Sequence, residues 1–214
     1  MDYRTVYEGG TGEIVEKKSR FIARVFPVET EEEADRHLAD VKKQYWDARH
    51  HCWAYIIGGE QVQERFSDDG EPAGTAGKPI LEVLRGHGLH NVLIVVIRYF
   101  GGTLLGTGGL VRAYTQSAQA GLAASTMIMK IEGYKVKIKT DYSTLGKLQY
   151  LLAQRTLPVI ASDYTDSVTL TTLIPAGEED NLLSALTEST NGQAEITRDC
   201  ACRFAYNNGE PIIF

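Results

Sequence analysis

No run in this chain approaches the roughly 20 consecutive apolar residues that a membrane-spanning helix requires, so no membrane partner is expected. The opening residues, Met1-Asp2-Tyr3-Arg4, lack the basic stretch and following apolar run of a secretory signal. Cysteine is scarce. Three in 214 residues is an odd number and too few for a disulfide framework, which points to a reducing, cytoplasmic setting. An excess of basic residues is missing as well: 22 Lys and Arg face 28 Asp and Glu, for a net charge of −6. That balance excludes a globally basic nucleic-acid binder. The deficit is even, −3 up to Glu132 and −3 from Gly133 onward, so neither half is a basic arm. Any contact with RNA or another anion has to come from a local patch.

What the chain does have is glycine, concentrated in two segments. The first is Ser67-Asp68-Asp69-Gly70-Glu71-Pro72-Ala73-Gly74-Thr75-Ala76-Gly77-Lys78-Pro79, and the second runs from Arg98-Tyr99-Phe100-Gly101-Gly102 to Gly106-Thr107-Gly108-Gly109-Leu110-Val111-Arg112. Glycine at this density costs backbone entropy, which a chain accepts where positive φ, close approach or free amides are needed. The second segment follows an apolar run, Val92 to Ile97, and leads into a helical pattern. In that layout, backbone amides and the helix dipole can hold an anion. The candidate anion or RNA contacts there are Arg98, Gly101, Gly102, Gly106, Gly108, Gly109 and Arg112. A tight strand-to-helix turn alone would use the same glycines.

Neither segment matches a nucleotide fingerprint. Val111 stands where the third glycine of G-x-G-x-x-G belongs. Pro72 replaces the opening glycine of a P-loop, and Pro79 replaces its hydroxyl residue, although Lys78 could still touch phosphate. Ser67, Asp68, Asp69 and Glu71 have three open roles: holding Mg²⁺ through oxygen, capping a turn at Gly70, or pairing with Arg98 or Arg112. His51 flanks a strand and is a candidate for substrate or RNA contact. A zinc site from His50, His51, Cys52, Cys200 and Cys202 is disfavoured because the downstream spacing is C-x-C, so core cysteines and no metal are expected. No G-x-S-x-G occurs. Lys135, Lys137 and Lys139 alternate along a strand and share one face, where they could meet a phosphate backbone or simply protect a solvated edge.

The order of elements predicts an α+β chain. Strands lie within 12–28, a helix opens at Thr30 with Glu33 completing a capping box, and strands follow at 51–57 and 91–99. Helices are expected from about residue 75 to 89 and from about 109 to 125. Residues 127–132 read as a junction, after which the pattern is βαββαβ, the ferredoxin-like plan. The expected division is a first domain at 1–130, a ferredoxin-like domain at 131–206, and a mobile tail at 207–214.

These motifs, together with Lys18-Ser19-Arg20-Phe21 and His50-His51-Cys52-Trp53-Ala54, closely resemble the IMPACT/YigZ family over about residues 1–126. The resemblance implies an N-terminal domain like domain 2 of ribosomal protein S5 and a C-terminal domain similar to the last domain of elongation factor G. Eukaryotic relatives carry a further N-terminal domain and regulate translation by binding an activator of a translation-control kinase. Because this chain begins with the shared domain, that partner role is not expected to transfer. The resemblance implies translation-linked or RNA-linked binding without an established enzymatic reaction. Together with the two arginines at the glycine loop and the lysine strand, it leads to the expectation of a cytoplasmic, translation-linked binding protein that contacts RNA or the ribosome through the glycine-loop anion site, without a cofactor. An enzyme acting on a small phosphorylated or carboxylated metabolite, and a protein-interaction module in translation control, are the alternatives.

Overall fold

The computed structural model describes residues 2–59 and 61–214. The chain is α+β and divides into two compact units, an N-terminal domain at Tyr3–Ile128 and a C-terminal domain built from Met129–Phe214 with Asp2. The described residues form eleven strands and five helices.

In the N-terminal domain, strands β2 (Thr11–Glu16), β3 (Ser19–Pro27), β4 (His50–Ile57), β5 (Gln63–Ser67) and β6 (Val92–Tyr99) form one sheet in the order β2-β3-β6-β4-β5, all pairs antiparallel. Its continuous apolar run makes β6 the middle strand, because a strand covered on both faces cannot afford polar alternation. One face carries Phe21, Ala23, Cys52, Ala54, Ile94 and Val96 against helices α2 (Gly77–Gly86) and α3 (Gly106–Ala123). The other carries Ile22, Tyr55, Leu93, Val95 and Ile97 against Ala34 and Val41 of α1 (Glu31–Gln44). Thr30 caps α1 by accepting from the Glu33 amide at 3.2 Å. The Glu33 carboxylate reaches back one residue beyond the capping-box position, accepting from the Glu29 amide at 2.8 Å. Strand β1 (Tyr3–Glu8), which the sequence pattern does not predict, is fixed by the His90 amide donating to the Arg4 carbonyl at 2.9 Å.

The C-terminal domain is β7 (Thr126–Thr140), α4 (Tyr142–Gln154), β8 (Val159–Tyr164), β9 (Val168–Pro175), α5 (Glu179–Ser189), β10 (Glu195–Asn207) and β11 (Glu210–Ile213). Its strands lie in the order β11-β10-β7-β9-β8. Val136, Ile138, Leu170 and Ile174 pack with Leu148 and Leu152 of α4 and Leu182 and Leu186 of α5. This βαββαβ succession matches the expected order. The two domains divide between Ile128 and Met129, inside the expected junction at 127–132, and β7 runs through that junction without a break. Two expectations are corrected. The expected mobile tail is a hairpin: Asn208 and Gly209 adopt positive φ (52° and 85°) between the paired residues Asn207 and Glu210. That is the Asn-Gly two-residue turn whose twist suits antiparallel strands. Cys200 and Cys202 are not core residues. Cys200 is exposed and Cys202 half-buried, because the helices cover the opposite face of the sheet.

Candidate functional site

Strand register builds the site. Arg98 at the end of β6 pairs with Phe21 on one side and with His50 on the other. Alternation puts Arg98 on the same face as Val96 and Ile94, toward α2 and α3. The same parity puts His50 with Cys52 and Ala54 on that face, and sends His51 to the α1 side. Three strands therefore present Phe21, Arg98 and His50 in one row, directly beneath the two glycine segments.

Arg98 is only 5% exposed. Its Nη1 donates to Glu71 Oε1 at 2.6 Å, and that oxygen also accepts from the Tyr114 hydroxyl at 2.8 Å. Nη2 reaches Ser19 Oγ at a long 3.5 Å, while Nε has no partner among the described residues. A guanidinium carries more N–H donors than these contacts use, so Arg98 retains donor capacity. Its carbon sits 5.4 Å from the Phe21 ring centre and 5.7 Å from that of Phe100, in cation–π range. Ser19 Oγ also accepts from the Gly101 amide at 3.1 Å, which fixes the start of the second glycine segment. Gly101 must be glycine here, since a Cβ would lie 2.0 Å from the Lys18 carbonyl carbon.

The acidic loop divides its labour. Asp68 accepts from the amides of Gly74 (2.8 Å), Ala76 (3.0 Å) and Gly77 (2.8 Å), so one carboxylate closes the loop and caps α2. Asp69 accepts from the His51 amide at 2.7 Å, and Ser67 Oγ accepts from the Asp69 amide at 3.2 Å. Glu71 alone turns to an arginine. No group of three or more His, Cys, Asp or Glu among the described residues is arranged to hold a metal ion.

Above Arg98 lies a cleft of about 320 Å³. Arg49, His50, Glu71 and Arg98 supply its polar wall, and Phe100, Leu104 and Leu110 its apolar one. Gly106 and Thr107 open it onto the first turn of α3. Leu105 stands at the N-cap of α3 and no side chain caps the helix. Gly106 has φ +72°, a left-handed value that brings the chain into the helix three residues earlier than its sequence pattern implies. Uncapped first-turn amides carry the positive end of the helix dipole. His50 Nδ1 lies 2.8 Å from the Asp69 carbonyl oxygen, which can only accept. The neutral ring therefore carries its proton on Nδ1 and a lone pair on Nε2, which lies 4.0 Å from Glu71.

Other sequence candidates fall elsewhere. His51 is buried, with Nε2 3.0 Å from the Tyr45 carbonyl. Arg112 is exposed and lines a separate concavity with Glu16, Lys17 and Gln116, so the two arginines do not share one site. Lys78 is exposed at the start of α2 and does not line the cleft. Gly102, Gly108 and Gly109 belong to the second loop and the first turn of α3, and the Gly101 amide is already engaged. Lys137 pairs with Asp199 at 3.1 Å, Lys139 faces Glu195 across the ladder, and Lys135 is half-buried. His50, Ser19 and Tyr114 are site residues that spacing alone misses. Strand parity was the available signal for His50. Burial pushes the Cys52 thiol and the Tyr114 phenol far above their usual ranges, so Cys52 is no thiolate nucleophile and Tyr114 stays a neutral donor.

Residues 17–122 match the family model described as the Impact N-terminal domain, a span that contains every residue lining the cleft. Residues 138–193 match a second model, described as a domain of unknown function, DUF1949. The IMPACT family member YvyE of Bacillus subtilis is 40% identical over 194 residues, 91% of this chain and 89% of its own. The chain belongs to the IMPACT family. Another IMPACT family member, YigZ of Escherichia coli, is 38% identical over 182 residues, covering 84% and 89% of the two chains. Protein IMPACT of Mus musculus is 37% identical over 98 residues, 44% of this chain and 30% of its own. A crystal structure of a hypothetical protein, 35% identical, superposes at TM-score 0.60 and covers 93% of this chain and 98% of that one. Of the lysine row, only Lys139 falls inside a family match.

Proposed function

We propose that this IMPACT family chain is a translation-linked binding protein that takes an anionic group of RNA into the cleft above Arg98. The observation that carries the reading is a buried arginine with an unpartnered Nε beside the uncapped first turn of an 18-residue helix. Family membership supports the link to translation, as do the expected likenesses of the N-terminal domain to S5 domain 2 and of the C-terminal domain to the last domain of elongation factor G. In this reading Arg98 and the α3 amides hold the anion, Glu71 and Tyr114 hold Arg98, and Asp68 and Ser19 hold the two loops. The lysine row plays a minor part, because Lys137 and Lys139 already face carboxylates and Lys135 is half-buried opposite Cys200.

Binding of transfer RNA and of ribosomes, measured across a salt series, tests the proposal. An acidic chain with one cationic cleft neutralises few phosphates, so log K should fall with log salt at a shallow slope, about −0.7 per phosphate engaged on a single strand. Absence of binding at low salt, or binding indifferent to salt, overturns it.

A second reading, an enzyme acting on a small phosphorylated or carboxylated metabolite, draws on the apolar wall of the cleft and on the His50 lone pair. Thermal shift against a metabolite panel separates the two. A ligand at 100 times its Kd adds about 2.7 kcal/mol, whereas a blank panel removes this reading.

A further inference from the structure

The reading above leaves open which anion the cleft accepts. Building on it, we infer that the cleft selects a terminal phosphomonoester, carried by an RNA end or a free nucleotide, over the internal phosphodiesters of a backbone. Three observations carry this. First, Arg98 is 95% buried where it lines the cleft, so only a group that protrudes into the cleft reaches its guanidinium. An internal phosphodiester is flanked by two sugars, and both would have to be buried for it to enter. A terminal phosphate enters alone.

Second, the surroundings oppose an extended polyanion. Glu71 lines the cleft with Arg49 and Arg98, Asp69 and Asp68 lie two and three residues before Glu71, and the chain is −6 overall. One concentrated charge gains from the α3 amides and Arg98 without laying further phosphates across a chain that is acidic overall. A monoester also carries up to twice the charge of a diester at the point where those donors converge. Third, the cleft offers groups that a bare phosphate leaves unused. Phe100 is 41% exposed and Leu104 83% exposed, an apolar ledge on which a terminal base can lie. His50 Nδ1 faces the Asp69 carbonyl, so the neutral tautomer leaves an acceptor lone pair at Nε2, which suits a ribose hydroxyl.

The test uses the full chain and a fluorescently labelled single-stranded RNA decamer in three forms: 5′-phosphate, 3′-phosphate, and hydroxyl at both ends. Inorganic phosphate and AMP serve as competitors. Arg98→Gln is the obvious variant, but it strands Glu71 in the interior. Gly108→Asp is the cleaner one. It lies in the first turn of α3 with open space at its Cβ, and its carboxylate occupies the free amides while suiting the helix dipole. The expected result is that one phosphorylated form binds at least about tenfold tighter than the hydroxyl form, and that Gly108→Asp, still folded, abolishes the preference. Equal binding of all three forms overturns the inference and leaves the RNA reading standing. Competition or thermal stabilisation by AMP or phosphate without any RNA binding supports the monoester chemistry and overturns the RNA source. Loss of all binding to every probe overturns both.

Discussion

Both domains set cations on a strand, and the two settings make those charges unequal. In the N-terminal domain Arg98 is buried in a row with Phe21 and His50, held by Glu71, with a helix N-terminus above it. In the C-terminal domain Lys137 and Lys139 stand on an uncovered sheet face, one paired with Asp199 and the other opposite Glu195. A charge in a recess interacts through low dielectric and is poorly screened, while an exposed one is diluted by water and salt. The number of basic residues is therefore a weak guide to where an anion binds. Burial, spare donors and the nearest carboxylate decide it.

Removing the partner of the buried charge should break this contrast most severely. Glu71→Ala strands the Arg98 guanidinium and the Tyr114 hydroxyl together, so the N-terminal domain should lose about 3–5 kcal/mol, read as a shift in denaturant midpoint. Asp68→Ala should cost about 2 kcal/mol, because three backbone amides lose a charged acceptor at once. The acid limb of the C-terminal domain should be softer. Hydrogen bonds from Ser143 and Thr144 hold the Asp141 carboxyl below its ordinary value of 3.8. A lowered folded-state value means that Asp141 stabilises the fold above its unfolded value, and that this is lost as pH falls through the folded one. Asp141→Ala should therefore reduce stability at neutral pH and flatten the dependence below about pH 4, which chemical denaturation at a series of pH values would detect. Lys137→Ala should be the mildest, at under about 1 kcal/mol, since its pair with Asp199 is exposed. A Lys137 effect as large as that of Glu71 would erase the distinction between the two settings.

Elements whose pattern is set by burial were legible in the sequence. The unbroken apolar run of β6 marked the sheet centre, and Thr30 marked the start of α1. Strand β5 was not legible because Gln63 to Phe66 are exposed, so no apolar alternation records the pairing with β4. Strand β11 was legible after all, in the Asn208-Gly209 turn, but charge and proline around it read as a loose end. At the site, the glycine segments were conspicuous, and a carboxylate–arginine pairing between them was one of three open roles. Which carboxylate makes it depends on where residue 71 lands relative to the end of β6, a tertiary fact with no local signature. His50 and His51 are adjacent and chemically identical, and only strand parity distinguishes the one lining the cleft from the one packed under α1.

The most direct test sets the two regions against each other on one ligand. Binding of a single-stranded RNA at fixed low salt is measured for the unmodified chain, for Gly108→Asp, and for the combined Lys135→Ala, Lys137→Ala and Lys139→Ala variant. The expected result is a loss of at least about tenfold for Gly108→Asp and less than about threefold for the lysine variant. A steep loss confined to the lysine variant, with Gly108→Asp binding normally, would contradict it.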